Sequence, residues 1–317
     1  MSRRWARFGI AGLTCLLGLG AAAQDAKVLT GTQATYSLAS ALVEGTSIGV
    51  ANVPEDGREL ALLKDYIERR AARLAPTFTA ATAVVSLTNA LPADPLYRFA
   101  RAANIGIVDI EAALPWSYDI PGVALVDAPV SDVAWAVDAD QPAAATAPYF
   151  WLSISNAIRM ADIVAQDLRR LFPEDAPRIA TNLDALKREL LAMRNTYQGR
   201  LIEAERDVVF ALTGDFVYLT NDMGLFVDGY FIKQDVRWTP DDLQNLTSHL
   251  KDRDVRVVIH KWMPSEPIQA AIRAAGATLV VLETGDPGIT VDDRLAAEGL
   301  QQLLERNLEA IVGALDN

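Results

Sequence analysis

Short runs of β-branched and aliphatic residues alternate with longer stretches whose apolar positions recur every three or four residues. The short runs predict strands over 27–30, 47–53, 82–87 and 105–110, and again over 207–213, 226–232, 255–260 and 277–283. The intervening periodicity predicts helices over 34–43, 59–74 and 94–103 in the first half. In the second half it predicts helices over 215–223, 240–251, 266–275 and 291–315. Strand and helix in strict alternation imply an α/β fold: two domains, each with a mainly parallel sheet flanked by helices.

Several helix ends are written into the chain. Thr239 before Pro240, with Asp242 three residues on, combines a capping hydroxyl, a proline at the first helical position and an acidic first turn. Ser265 before Glu266-Pro267 repeats the pattern, and Gly276 after Ala275 reads as a C-terminal cap. Between the halves, 155–171 and 176–205 predict two helices broken at Pro173. The second carries Ile179, Leu183, Leu186, Leu190, Leu191 and Met193, and at ~1.5 Å per residue would run about 45 Å as a rigid connector. The acidic, alanine-rich segment 127–147 shows little periodicity and reads as a surface loop.

The first residues change the picture of where the chain acts. Arg3, Arg4 and Arg7, an apolar run over 8–20 and Ala21-Ala22-Ala23 form the three regions of a secretory signal. The expected organisation is therefore a signal peptide over 1–23, an α/β lobe over 24–154, a helical connector over 155–206 and a second α/β lobe over 207–317. The expected compartment is the periplasm. Cys15, the single cysteine, falls within the signal, where lipidation is a weaker alternative; a mature chain has no thiol for a disulfide or a thiolate metal site. Loss of the three arginines takes the net charge from −12 to −15, which opposes binding to nucleic acid or anionic lipid. No G-x-S-x-G elbow, phosphate-binding loop, H-E-x-x-H or dinucleotide glycine pattern is present, so the chain does not read as an enzyme.

One stretch is more specific. Ala147-Pro148-Tyr149-Phe150-Trp151-Leu152, followed by Ala157, Met160 and Ala161, resembles the Asp-Pro-His-x-Trp-Leu signature of the zinc/manganese solute-binding proteins of ABC transporters. The likeness extends along the mature chain, through Val28-Leu29-Thr30, Val53-Pro54, Phe210 to Leu219, Arg256 to His260 and Thr278 to Glu283. It implies two lobes braced by a rigid helix, a metal ion held between them, and a partner permease in the inner membrane. A monomer is the expected state.

The resemblance also implies three histidines and a carboxylate, or two of each, at the ends of strands in both lobes. Here Tyr149 stands at the second histidine position and Gly214 at the third. None follows Pro54, where Glu55, Asp56, Arg58 and Glu59 lie; the late carboxylate is Glu283. Because ligands in parallel sheets lie beyond the carboxyl ends of strands, the candidates are Thr32, Asn52, Glu55, Asn89, Tyr149, Asp215, Lys233, His260, Lys261, Glu283 and Asp286. The expected ligand set is Tyr149, Asp215, His260, Glu283, Asp286 and Glu55, with Tyr149, Asp215 and Glu283 on the metal. Oxygen donors with at most one imidazole suit manganese or iron, divalent or ferric, better than zinc. Lys233 and Lys261 oppose a free cation, which keeps open an anionic metal chelate or a small organic ligand. A scaffold with a degenerate site and no transport role is the third reading.

Overall fold

The structure is a computed structural model that describes residues 27–316 apart from 118 and 205. The expected signal segment 1–23, with Cys15, lies outside the described residues. In chain order the first half contains β1 (Val28–Thr30), α1 (Gln33–Leu42), β2 (Val50–Asn52), α2 (Leu60–Arg69), α3 (Ala71–Ala80), β3 (Ala83–Ser86), α4 (Leu96–Ala103) and β4 (Val108–Glu111). Two long helices follow, α5 (Ile154–Leu171) and α6 (Ala176–Ala204). The second half contains β5 (Val208–Ala211), α7 (Val217–Met223), β6 (Phe226–Tyr230), α8 (Pro240–Asp252), β7 (Val257–His260), α9 (Glu266–Ala274) and β8 (Thr278–Val281). It ends with a β9 (Thr290–Val291), β10 (Arg294–Leu295) hairpin and α10 (Gly299–Leu315).

The two four-stranded sheets, ordered β2-β1-β3-β4 and β6-β5-β7-β8, are parallel throughout. Strands buried on both faces read as continuous apolar runs rather than alternating ones; Val28–Thr30 and Val257–His260 are buried at every position. The predicted cap of α8 is present in full, with Thr239 and Asp242 bonded reciprocally, and Gly276 has the left-handed φ of +79° expected after α9. Ser265 makes no side-chain cap; its N–H instead donates to Asp235 Oδ2 at 2.7 Å.

Three expectations change. The helix expected over 59–74 divides at Arg70 and continues as α3 past Pro76, because Phe78, 2% exposed, anchors the second segment in the core. The stretch expected as one helix over 291–315 begins as the β9–β10 hairpin. Finally, α10 does not belong to the second sheet alone. It packs on α1 and α6 as well as β8, and the buried Gln33 side chain ties it down: Nε2 donates to Ala296 O at 2.9 Å, and Oε1 accepts from Ile289 N at 2.9 Å.

The packing explains the stiffness that the long helix predicts. Each sheet has its own outer core: Leu63, Ile67, Phe78 and Leu96 cover the first, and Leu246, Leu250, Ile268 and Ile272 the second. The inner faces share one continuous core, in which Val28 and Val85 join Val209 and Ile259 through Met160, Val164, Leu186, Leu190, Leu304 and Leu308. With each such side chain stabilising the fold by about 1.5–3 kcal/mol when fully buried, separating the halves would expose a large apolar seam.

Candidate functional site

The aromatic stretch before α5 is built as an anchor. Ser153 caps α5 by accepting from Asn156 N at 3.0 Å, and Asn156 Nδ2 donates to Ala124 O and Phe150 O at 2.9 and 3.1 Å. Tyr218 Oη donates to Ala147 O at 3.2 Å and accepts from Val126 N at 3.1 Å, which fixes both ends of the 126–147 strap. Trp151 is buried, and its indole N–H donates to Thr284 O at 2.8 Å. That bond carries the loop after β8 across to the start of the long helices, beside Tyr149.

Groups from distant parts of the chain lie near one another there. Burial, then the charges of Asp215 and Asp286, hold the Tyr149 proton far more tightly than in a free phenol, and the nearby Thr284 hydroxyl offsets part of this. Asp286 Oδ1 accepts from Leu60 N at 2.8 Å, so a residue of the second half satisfies an open N–H at the start of α2 in the first. Burial raises the Asp286 pKa to about 6; the Leu60 bond offsets part of that, and Glu59 adds to it. Gly285 makes the turn possible: its φ is +78°, and a Cβ would lie 2.7 Å from Leu303 Cδ2.

Asp215 does not cap α7. Its Oδ2 accepts from Thr213 Oγ1 at 2.7 Å and pairs with Lys261 Nζ at 2.7 Å. His260 lies buried below this pair with its ring 4.4 Å from that of Trp262, and its Nδ1 has no partner. Burial lowers its pKa to about 4, so the imidazole is neutral. The cluster thus runs from Glu59 and Asp286 through Tyr149 and Asp215 to Lys261 and His260. Among the described residues no three His, Cys, Asp or Glu side chains group as they would around one ion.

The structure does not bring every expected residue to this place. Glu283 is exposed and faces Arg306 of α10 at 3.6 Å, because the carboxylate that turns inward after β8 is Asp286. Glu55 pairs with Arg294 of the β9–β10 hairpin at 3.1 Å. Lys233 is committed to a buried ion pair with Asp242 at 2.9 Å, so it is not a cleft charge. Thr32 caps α1, and Asn52 bridges Thr30 and Pro54 O within the first sheet. His249 belongs to a structural cluster with Asp228 and Arg253. Thr284 is not singled out by the sequence, and Glu59 is named there only among the charged residues after Pro54. Thr284 could have been found only from the Gly285 turn, since a lone hydroxyl after a strand carries no pattern.

Position 214 has its own explanation. A Cβ there would lie 3.0 Å from Pro129 Cδ and 3.3 Å from Pro129 Cγ. The strap occupies the space that a side chain would need. Beside it, a cavity of ≈ 640 Å³ opens at the carboxyl ends of strands from both sheets, between the turn after β3, the strap and the ends of β5, β6 and β7.

Comparison with known proteins follows the same outline. A family model described as zinc-uptake complex component A, periplasmic, matches residues 58–314. The zinc-binding lipoprotein AdcA of Streptococcus pneumoniae serotype 4 is 24% identical over 173 residues, 53% of this chain and 34% of that protein. The chain therefore spans about a third of the length of that relative (34%). The solute-binding protein FpvC of Pseudomonas aeruginosa, solved with Mn²⁺, superposes with a TM-score of 0.64 at 23% identity, covering 92% of this chain and 98% of that one. A periplasmic metal-binding protein of Candidatus Liberibacter asiaticus gives 0.62 at 16% identity, covering 91% and 98%. At these identities the superpositions establish the fold.

Proposed function

We propose a function from one premise: the chain belongs to the family of periplasmic zinc-uptake complex component A proteins. It serves as the periplasmic solute-binding component of an ABC importer, receiving a metal-ion solute between its two halves and presenting it to a permease in the inner membrane. The family binds solutes and does not catalyse. The observation that supports this reading is that the charges of Asp215 and Asp286 both act on the Tyr149 phenol beyond the strand ends, Tyr149 being the residue that the resemblance sets against the signature's histidine. The donors are oxygens: a phenol, two carboxylates and the Thr284 hydroxyl. Such a set favours manganese or iron over zinc.

Two features set the terms of binding. Metal coordination has to displace the tightly held Tyr149 proton and, at Asp286, a proton bound with a pKa of about 6, so uptake strengthens as pH rises through that value. A free cation also has to displace Lys261 from Asp215, because an ammonium 2.7 Å from the carboxylate already occupies the cation's place. Calorimetric titration with Mn²⁺, Fe³⁺ and Zn²⁺ tests the reading. Tyr149→Phe and Asp286→Asn are expected to weaken binding of the preferred ion at least tenfold, and Lys261→Met to strengthen it. Unchanged affinity in all three variants, or zinc preferred over manganese and iron, overturns the assignment.

A further inference from the structure

The cavity beside the Tyr149 cluster is out of proportion to a bare ion. At ≈ 640 Å³ it falls within the range of about 300–1,000 Å³ typical of pockets for organic molecules. Its wall is mainly hydrocarbon: Leu91 and Ala93 from the turn after β3, Pro129 and Ala144 from the strap, Ile232 after β6 and Trp262 after β7. Most charges that reach it are already committed within the protein. Lys233 is paired with Asp242 and Asp140 with Arg237. Lys261 is paired as well, with Asp215 at 2.7 Å, but it is 33% exposed and lies at the cavity with its Nζ 5.0 Å from the centre of the Trp262 ring. Asp215 holds a second bond, from the Thr213 hydroxyl, and so keeps a partner if Lys261 turns to another anion.

We infer that this chamber holds the apolar body of a small organic anion whose charged head takes Lys261, an organic species that accompanies the metal ion into the cleft. The inference rests on the reading of the cleft as the solute site. The two demands on Lys261 separate them: a free cation gains when the lysine is removed, and an organic anion loses.

The test uses 8-anilinonaphthalene-1-sulfonate, an aromatic body with one anionic group, titrated into the purified chain, with Mn²⁺ titrated into the same proteins. Saturable binding of one equivalent is expected, with energy transfer from tryptophan. Lys261→Met is expected to weaken it tenfold or more. Ala93→Trp and Ala144→Trp fill the chamber from exposed positions and are expected to abolish it, with circular dichroism unchanged. Probe binding indifferent to Lys261→Met and to both tryptophan variants overturns the inference, even if Mn²⁺ binds in a Tyr149-dependent way. If instead the chain takes no free ion and the probe follows the chamber variants, the free-ion reading fails and the inference stands. A second titration with 8-hydroxyquinoline-5-sulfonate, with and without Fe³⁺, identifies the source of the anion: tighter binding of the iron complex marks a metal chelate, equal binding an organic acid that carries no metal itself, and binding of neither overturns the inference.

Discussion

Position 214 shows how one residue type can follow from a neighbour rather than from chemistry. With Pro129 Cδ only 3.0 Å from where a Cβ would lie, Gly214 leaves room for the strap, and the strap in turn walls the cavity. Placing a histidine there is therefore expected to act as overpacking, costing about 1–3 kcal/mol, rather than to create a zinc ligand. Thermal melts of Gly214→His and of Gly214→His with Pro129→Ala check this: the single variant melts lower, and the second substitution returns part of the loss. A single variant with wild-type stability and new zinc affinity contradicts the explanation. The residue scale is also where sequence was least informative. Tyr149 and Asp215 could be picked from a pattern, but whether Glu283 or Asp286 turns inward depends on the left-handed Gly285 and on the indole bond from Trp151 to Thr284, both set by tertiary contacts.

Among the elements, the end of β4 carries a titration. Glu111 is buried and accepts N–H bonds from Asn89 and Ala113 at 2.8 and 3.1 Å, which shapes the turn that borders the cavity. Desolvation outweighs those bonds and raises its pKa to about 7. A carboxyl group whose pKa is higher in the folded chain than in the unfolded one favours folding most when protonated. The contribution is full below about 4.5 and is lost as pH rises towards 7, a span worth about 3 kcal/mol. Denaturant melts are expected to show stability falling from pH 5 to pH 7.5, and Glu111→Gln is expected to flatten that slope. An unchanged slope in the variant would place the titration elsewhere. Elements with strong local signals were legible in the chain, as the Thr239–Asp242 box of α8 shows. The division at Arg70 was not, because the apolar period runs across it and only the seating of Phe78 sets the new helix direction.

For the whole molecule, the shared inner core is the governing fact. The sequence implied two lobes and a rod, and both sheets and α6 are where that alternation puts them. The fusion of the inner faces could not be read from it, because Val28 and Val209 or Leu186 and Leu304 are distant in sequence and meet only on folding. One cooperative transition is expected in calorimetry, with the two sheets lost together. Gln33→Ala leaves Ile289 N without its acceptor, whereas Ala296 O keeps the Gly299 N–H at 3.0 Å, a loss of about 1–3 kcal/mol for the one group. It is expected to lower that single transition rather than split it; two resolved transitions in the parent chain would disprove the fused core. In solution scattering, solute should leave the radius of gyration unchanged within error.

A frame this stiff alters the signal available to the transporter it is proposed to serve. Receptors that fold around their cargo announce a full load through a change of outline, and a chain welded along its spine has no such announcement to make. Loaded and empty forms would then dock equally well by shape. The membrane complex would have to inspect the doorway itself, where the 126–147 ribbon and the Trp262 turn are the parts within reach.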